Sequence, residues 1–142
     1  MRRVVVTGMG GITALGEDWP TIRANLAAGK TAIRRMTDWD KFTSVRTRLA
    51  APIDGFHAEN RYPRKMLRAM GRVSQLAVYA SEKALADAGL VGDPVVQSGR
   101  LGVAYGSSYG SPDAVVGIYE LRTHGFSREL TATTYIRTMA HT

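Results

Sequence analysis

The chain has 142 residues, which is enough for one domain or part of one, and its 44% hydrophobic and 22% charged residues are ordinary for a globular protein. It contains no cysteine, so disulfides, thiolate metal sites and a cysteine nucleophile are excluded within these residues. No apolar run approaches the roughly 18 residues of a membrane span, and we expect a cytoplasmic protein that does not bind a membrane.

The chain carries a net charge of +7, and the excess is concentrated in its first half. Residues 1–72 hold 14 of the 19 basic residues and 6 of the 12 acidic ones. A basic surface of this kind favours an acidic partner. The alternative is a charged face that only keeps the protein in solution.

The first predicted element is a short buried strand over residues 4–7, three valines and a threonine that run into glycine. The loop after it needs either positive φ or close backbone contact, because glycine is used where a side chain does not fit. Gly8 and Gly10 match the dinucleotide-binding motif G-x-G-x-x-G, but Thr13 occupies the third glycine position. No acidic residue follows at the end of a second strand, so a dinucleotide fold is not expected.

Two helices are predicted in the next part of the chain. Asp18 is suited to cap a helix over residues 19–28, which Gly29 ends. Residues 30–62 have no clean period and predict loops and short strands. A longer helix is predicted over residues 63–88, and its apolar stripe becomes all alanine toward the end. Small side chains there predict a closely packed neighbour.

A second buried strand is predicted over residues 101–105, followed by a loop of glycine and serine over residues 106–110. Ser111 is suited to cap a helix over residues 112–124, and a last helical segment begins near Thr133. Strands that alternate with helices predict a layered α/β fold with parallel strands.

The sequence G-x-S-x-G around Ser108 matches the nucleophile elbow of serine hydrolases. The helix does not start at the serine, however, and too little chain follows to supply the acid and the histidine of a hydrolase. Ser108 is therefore interpreted as part of a tight loop. His57, His124 and His141 share no metal-ligand spacing, so no metal site is expected.

Two stretches, residues 2–16 and 100–110, resemble the β-ketoacyl-acyl-carrier-protein synthases, the condensing enzymes of fatty acid synthesis. The resemblance covers essentially all of residues 1–142, but only the opening portion of the family's length. It implies a layered thiolase-like α/β fold (αβαβα) that is incomplete here, because residues 1–142 form its N-terminal portion. It also implies an elongating, dimeric enzyme with no metal or redox cofactor.

The resemblance places a carrier-protein site on basic residues. Lys65 and Arg68 match positions where the family presents positive charge to the acidic acyl carrier protein, and helical spacing puts Arg72 on the same face. A neighbouring basic position of some relatives is Ala69 here. Arg128 matches a further carrier-binding position. Nucleic acid is not expected as a partner, because no aromatic residue is interleaved with the basic ones within residues 64–72.

The resemblance also places an acyl-pocket wall on the loop made of Ser107, Ser108, Tyr109 and Gly110. Tyr109 stands where many relatives carry a smaller aliphatic residue, which implies a shorter acyl chain. The last helical segment, residues 131–139, is expected to approach the partner subunit.

Members of the family hold the acyl group on a cysteine and use two histidines for malonyl decarboxylation. The resemblance places all three beyond residue 142, so residues 1–142 contain no catalytic residue and are expected to be inactive alone, as a self-associating fragment of a longer enzyme. One alternative is a non-catalytic partner that sets chain length in a heterodimer. The other is a basic binding module.

Overall fold

The computed structural model describes residues 3–128 and 130–139, apart from the side chain of Ala114. The chain divides into two compact units, the first of Met1–Phe56 with Ala80–Gly89 and the second of His57–Tyr79 with Leu90–Thr142. The helices are α1 (Trp19–Ala27), α2 (Arg64–Leu67), α3 (Arg72–Asp87), α4 (Asp113–His124) and α5 (Ala132–Arg137). The strands are β1 (Arg34–Arg35) and β2 (Leu49–Ala50), and short 3₁₀ helices occupy Thr37–Trp39, Ala58–Asn60 and Pro94–Gln97.

Helix α1 begins at the predicted cap. The Asp18 carboxylate accepts hydrogen bonds from the backbone N–H and the hydroxyl of Thr21, each at 2.9 Å. These bonds satisfy a backbone donor that the first turn leaves without an intrahelical partner. The helix buries Ile22 and ends before Gly29, whose φ of 66° lies in the left-handed region that glycine adopts freely. The predicted helix over residues 19–28 is confirmed.

Short strands and loops fill residues 30–62, as predicted. Strands β1 and β2 pair antiparallel, with Arg34 opposite Ala50 and Arg35 opposite Leu49. Asp40 lies 3.0 Å from an Arg35 guanidinium nitrogen and 3.2 Å from Arg48 Nε. The antiparallel pair is the only sheet within the described residues.

The glycine loop after residue 7 packs against the alanine end of α3. A Cβ atom added to Gly8 would lie 2.5 Å from the carbonyl oxygen of Ala84 and 2.5 Å from the backbone nitrogen of Ala88. A Cβ added to Gly10 would meet the backbone of Ala80 and Ala84 as closely. Backbone therefore packs directly on backbone, which confirms the close neighbour that the alanine stripe predicts.

The buried strands predicted over residues 4–7 and 101–105 do not form. Val4 is 95% exposed, Val6 79% and Val103 72%, and neither segment is paired as a strand within the described residues. A strand exists only through hydrogen bonds to a neighbouring strand, and its burial depends on what covers its faces. The β-branched pattern is present, but the described residues hold no neighbouring strand for it.

The single helix predicted over residues 63–88 is divided in two. Helix α2 ends at Leu67 and α3 begins at Arg72, and the buried Gly71 lies in the interruption. A Cβ on Gly71 would collide with the side chain of Ser111. The Gln75 amide donates to the Met70 carbonyl at 3.2 Å and satisfies one acceptor that the break leaves open. The absence of a side chain at position 71 therefore makes room for Ser111.

Helix α4 covers the predicted residues and stops at Gly125, whose φ is 71°. Its N-cap is Pro112, which offers no side-chain bond, so the prediction that Ser111 caps this helix is wrong. Ser111 is instead buried at 2% exposure. Helix α5 confirms the last helical segment and begins with a capping box between Thr131 and Thr134.

Candidate functional site

A groove of about 610 Å³ on the second unit is lined by positive charge. Its residues are Arg64, Lys65, Leu67, Arg68 and Arg137, and we call it the cationic groove. Four of these five residues carry a positive charge, and none is acidic. Two of the three predicted carrier-binding residues, Lys65 and Arg68, therefore lie together.

Local structure explains why these charges meet. Pro63 has extended backbone and precedes α2, so Arg64, Lys65 and Arg68 are brought together within one short helix and its C-cap. Arg137, at the end of α5, donates from Nη2 to the Arg68 carbonyl. Lys65 and Arg68 are exposed. Exposed charges of one sign raise the encounter rate with an oppositely charged partner more than they raise final affinity.

Two further basic residues lie outside this groove. The helix break at Gly71 separates Arg72 from Lys65 and Arg68, and Arg72 lines a different cavity. The predicted face shared by Lys65, Arg68 and Arg72 is therefore wrong. Arg128 is exposed but does not line the groove. Its acidic neighbour in sequence, Glu129, lies outside the described residues.

The glycine–serine loop forms a tight turn. The Ser107 hydroxyl donates to the Tyr109 carbonyl at 2.6 Å, and the Tyr109 N–H lies 3.4 Å from the same hydroxyl. Ser108 is exposed, and Tyr109 is 53% exposed. Gly110 is buried where a Cβ would meet the backbone of Arg137 and Thr138. The loop is therefore anchored through Gly110 while the Tyr109 ring stays accessible.

Of the two described histidines, His57 contacts an acidic side chain and His124 lies at a helix end. His57 Nδ1 lies 3.2 Å from Glu59 Oε1. Glu59 also accepts from its own backbone N–H, and these two bonds hold the Glu59 pKa below its usual value. His124 is the last residue of α4, where positive charge suits the helix dipole. His141 lies outside the described residues. Within the described part of the chain, no three His, Asp or Glu side chains are grouped to hold a metal ion.

A second cavity, of about 490 Å³, also lies on the second unit. It is lined by Ser111 and Arg137 among others, and sequence reasoning had no role for Arg137 and only a capping role for Ser111. No local pattern marks either residue. They come together because the Ser111 N–H donates to the Arg137 carbonyl at 2.9 Å, a contact between residues far apart along the chain.

Comparisons with known proteins show the family to which the chain belongs. The family model described as beta-ketoacyl synthase, N-terminal domain, matches residues 1–140. The chain belongs to the β-ketoacyl synthase family.

Solved structures of the family agree in fold. A crystal structure of a β-ketoacyl synthase from Burkholderia phymatum STM815 matches 99% of this chain with a TM-score of 0.90 and 52% identity. The ishigamide ketosynthase/chain length factor matches 97% of it with a TM-score of 0.73 and 27% identity. The fold is therefore the thiolase-like α/β fold in part, as the resemblance implies.

The chain spans a minor part of these proteins. It covers 35% of the Burkholderia phymatum protein and 34% of the ishigamide protein. The chloroplastic 3-oxoacyl-acyl-carrier-protein synthase II of Arabidopsis thaliana is 35% identical over 111 residues, which are 77% of this chain and 20% of that protein. Among the residues that the structure describes, no helix is long and apolar enough to cross a membrane.

Proposed function

We propose that the protein containing this chain is a β-ketoacyl-acyl-carrier-protein synthase that lengthens acyl chains in fatty acid synthesis. The observation that carries this proposal is the match to the Burkholderia phymatum synthase, at 52% identity over 99% of the chain. The reaction consists of acyl transfer to a cysteine, decarboxylation of a malonyl unit on the carrier protein, and carbon–carbon bond formation. Residues 1–142 contain no cysteine, so they contribute to substrate handling.

The first contribution is docking of the acidic acyl carrier protein on the cationic groove. Lys65 and Arg68 are exposed, and Arg64 and Arg137 add two further charges to the same groove. Complementary charge steers the two proteins together and is screened as ionic strength rises. Arg128 is proposed as a separate contact outside the groove.

The second contribution is one wall of the acyl pocket, made of Ser107, Ser108, Tyr109 and Gly110. The turn fixes the backbone at Tyr109, and the residue stays exposed. A phenol ring at the pocket floor occupies volume that a longer acyl chain needs. We assign residues 131–139 to the approach of a second subunit in a homodimer, which is typical of the dimeric enzymes that this chain resembles.

The test is a condensation assay with the complete gene product, using acyl and malonyl carrier proteins. Reversing the charge with Lys65→Glu or Arg68→Glu is expected to lower kcat/KM for the malonyl carrier protein by about tenfold at low salt. The deficit should shrink as ionic strength rises, while kcat at saturation stays near its original value. Surface steering acts on encounter, so the effect belongs in kcat/KM.

Arg23→Glu is the matched control, because Arg23 is an exposed arginine on α1. We expect kcat/KM for this variant to stay within about twofold of the original, since no carrier contact is assigned to α1. Equal losses for all three variants, or a loss at Lys65 that salt does not diminish, would contradict docking on the cationic groove. Absence of condensation by the unsubstituted protein would contradict the proposed reaction.

A second candidate has one observation in its favour. The ishigamide ketosynthase/chain length factor shares the fold at 27% identity, and its name includes a partner described as a chain length factor. A non-catalytic subunit of this kind would lack the cysteine in the complete gene product. The same assay separates the two candidates, because such a subunit condenses nothing by itself.

A further inference from the structure

Asp54 is directly followed by Gly55, in the stretch between β2 and the 3₁₀ helix Ala58–Asn60. No other aspartate of the chain, and neither of its asparagines, precedes a glycine. An aspartate in this position can react with its own backbone, because its carboxyl carbon lies within reach of the next amide nitrogen. Neither the sequence motifs nor the proposed condensation uses this pair of residues.

The amide nitrogen of Gly55 is unhindered. No atom beyond the neighbouring residues lies within 4 Å of a Cβ built on Gly55. The chain bends at Gly55, and its N–H donates to no acceptor among the described residues. Asp54 and Gly55 are both exposed. A backbone nitrogen with no side chain and no hydrogen bond to restrain it can turn onto the preceding carboxyl carbon.

Arg34 restrains the carboxylate of Asp54. Its Nη2 lies 2.6 Å from Asp54 Oδ2, and the two side chains are 56% and 60% exposed. The backbone of Arg34 is itself fixed, because Arg34 pairs with Ala50 between β1 and β2. To react, the carboxylate must turn toward the Gly55 nitrogen and lose its charge, and both changes weaken the ion pair. Exposed ion pairs are weak, so this one slows the reaction without preventing it.

The residue after this pair is important for packing. Phe56 is 1% exposed and is the largest fully buried side chain among the described residues. An isoaspartyl linkage runs through the side-chain carbon of Asp54 and lengthens the main chain by a methylene group. Close-packed interiors tolerate such shifts poorly. A change of linkage at Asp54 therefore displaces the chain next to a buried aromatic ring.

We infer that Asp54 and Gly55 form a spontaneous modification site, at which the aspartyl linkage converts to an isoaspartyl linkage through a cyclic imide. The carboxylate takes a proton from solvent, and the Gly55 nitrogen attacks the carboxyl carbon. A C–N bond forms, a C–O bond breaks, and the hydroxyl leaves with the amide proton as water. Water then opens the imide, and attack at the main-chain carbonyl gives the isoaspartyl product. This inference is independent of the proposed function.

The experiment is to age the complete gene product for several weeks at neutral pH and physiological temperature in heavy-oxygen water. Trypsin, used afterwards in ordinary water, cleaves after Arg48 and Arg61 and releases a peptide in which Asp54 is the only aspartate. We expect a second form of this peptide that separates by liquid chromatography and carries one heavy oxygen atom. The heavy oxygen identifies the route, because only opening of the imide takes an oxygen atom from solvent.

Three variants separate this chemistry from general ageing. Gly55→Ala should slow the conversion by about tenfold, since a methyl group shields the nitrogen and restricts the backbone. Asp54→Glu keeps a charge that can pair with Arg34 but closes its larger ring far more slowly, so it should give no product. Gly11→Ala is the matched control, because Gly11 is also surrounded by open space and lacks positive φ. It should age at the original rate.

Two arginine variants test the restraint. Arg34→Gln should raise the rate of conversion by about two- to fivefold, which corresponds to the strength of an exposed ion pair. Arg46→Gln is its control, because Arg46 is an exposed arginine in the connection between β1 and β2. It should leave the rate unchanged. Equal rates in Arg34→Gln and the original protein would overturn the restraining role of Arg34.

The buried Phe56 provides a second measurement. Aged original protein should unfold at a lower denaturant concentration than fresh protein, whereas ageing should not change the midpoint of Asp54→Glu. Absence of the second peptide form after ageing, or a second form without heavy oxygen, would overturn the modification site. Conversion of Gly55→Ala as fast as Gly11→Ala would overturn it as well.

Discussion

Gly10 and its neighbour Gly11 differ in what surrounds them, although they are adjacent in sequence. A Cβ on Gly10 would lie within 2.8 Å of the Lys83 Cβ and as close to the backbone of α3, whereas nothing lies within 4 Å of a Cβ on Gly11. Neither residue has positive φ. The cost of a side chain at either position is therefore a matter of packing and not of backbone conformation.

This contrast gives a test at a single residue. Gly10→Ala is expected to destabilise the complete gene product by about 1–3 kcal/mol, because the α3 backbone cannot yield to an added methyl group. Gly11→Ala should change stability by less than about 1 kcal/mol, since its methyl group meets no atom. Denaturant unfolding measures both. Equal stability of the two variants would show that the loop does not pack on α3.

Residues of the candidate site fall into two groups when sequence and structure are compared. Lys65 and Arg68 were identified from the resemblance, and the structure places both in the cationic groove. Ser111 and Arg137 could not be paired from sequence, because residues 26 positions apart meet only through the packing of the loop on the end of α5. Local patterns contain no information about such contacts.

Helices with their own end signals formed where the sequence predicts them. The cap at Asp18 and the left-handed glycine after α1 act within a few residues, so the chain specifies them without help from elsewhere. The single helix predicted over residues 63–88 did not form. It is interrupted near Gly71, where a side chain would collide with Ser111 from another part of the chain.

The Asp18 cap makes the stability of α1 depend on pH. The backbone N–H of Thr21, and then its hydroxyl, donate to the carboxylate and lower the Asp18 pKa. The folded state thus favours the charged form, and the contribution is complete above the unfolded pKa of about 3.9. It is lost as pH falls through the lower folded value.

Two substitutions test this dependence in the complete gene product. Asp18→Ala should lower the thermal midpoint at pH 7, because it removes the cap. Asp18→Asn should keep most of the cap, since asparagine also accepts from the backbone, and should abolish the acid-dependent part of the difference. Thermal melts from pH 7 down to pH 3 measure it. If Asp18→Asn lost stability with acid just as the original protein does, another group would be responsible.

At the scale of the whole molecule, apolar extended segments are left uncovered. Val4, Val5 and Val6 are 95%, 65% and 79% exposed, and Val103 is 72% exposed. Extended apolar segments without a neighbouring strand are templates for pairing with another chain. The chain spans 35% of the length of the Burkholderia phymatum synthase, whose fold it matches.

We expect residues 1–142 expressed alone to self-associate and to increase the fluorescence of 1-anilinonaphthalene-8-sulfonate, and the complete gene product to do so far less. Val5→Lys should reduce the association, because a charge on an extended edge opposes strand pairing. Val91→Lys is the control, since Val91 is similarly exposed, at 72% against 65% for Val5, but lies in a turn. A monomeric isolated chain by light scattering would contradict this expectation.

The sequence by itself determined what depends on neighbours along the chain: the cap and stop of α1, the end of α4 at Gly125, the capping box of α5 and the absence of a thiol. It also specified the family, because several motifs in a given order and spacing identify a family even when each motif alone is ambiguous. Only the tertiary structure decided the break at Gly71, the burial of Ser111 and the meeting of Arg137 with both cavities. The physical reason is that these features arise from excluded volume and hydrogen bonds between distant segments, which have no period and no local signature.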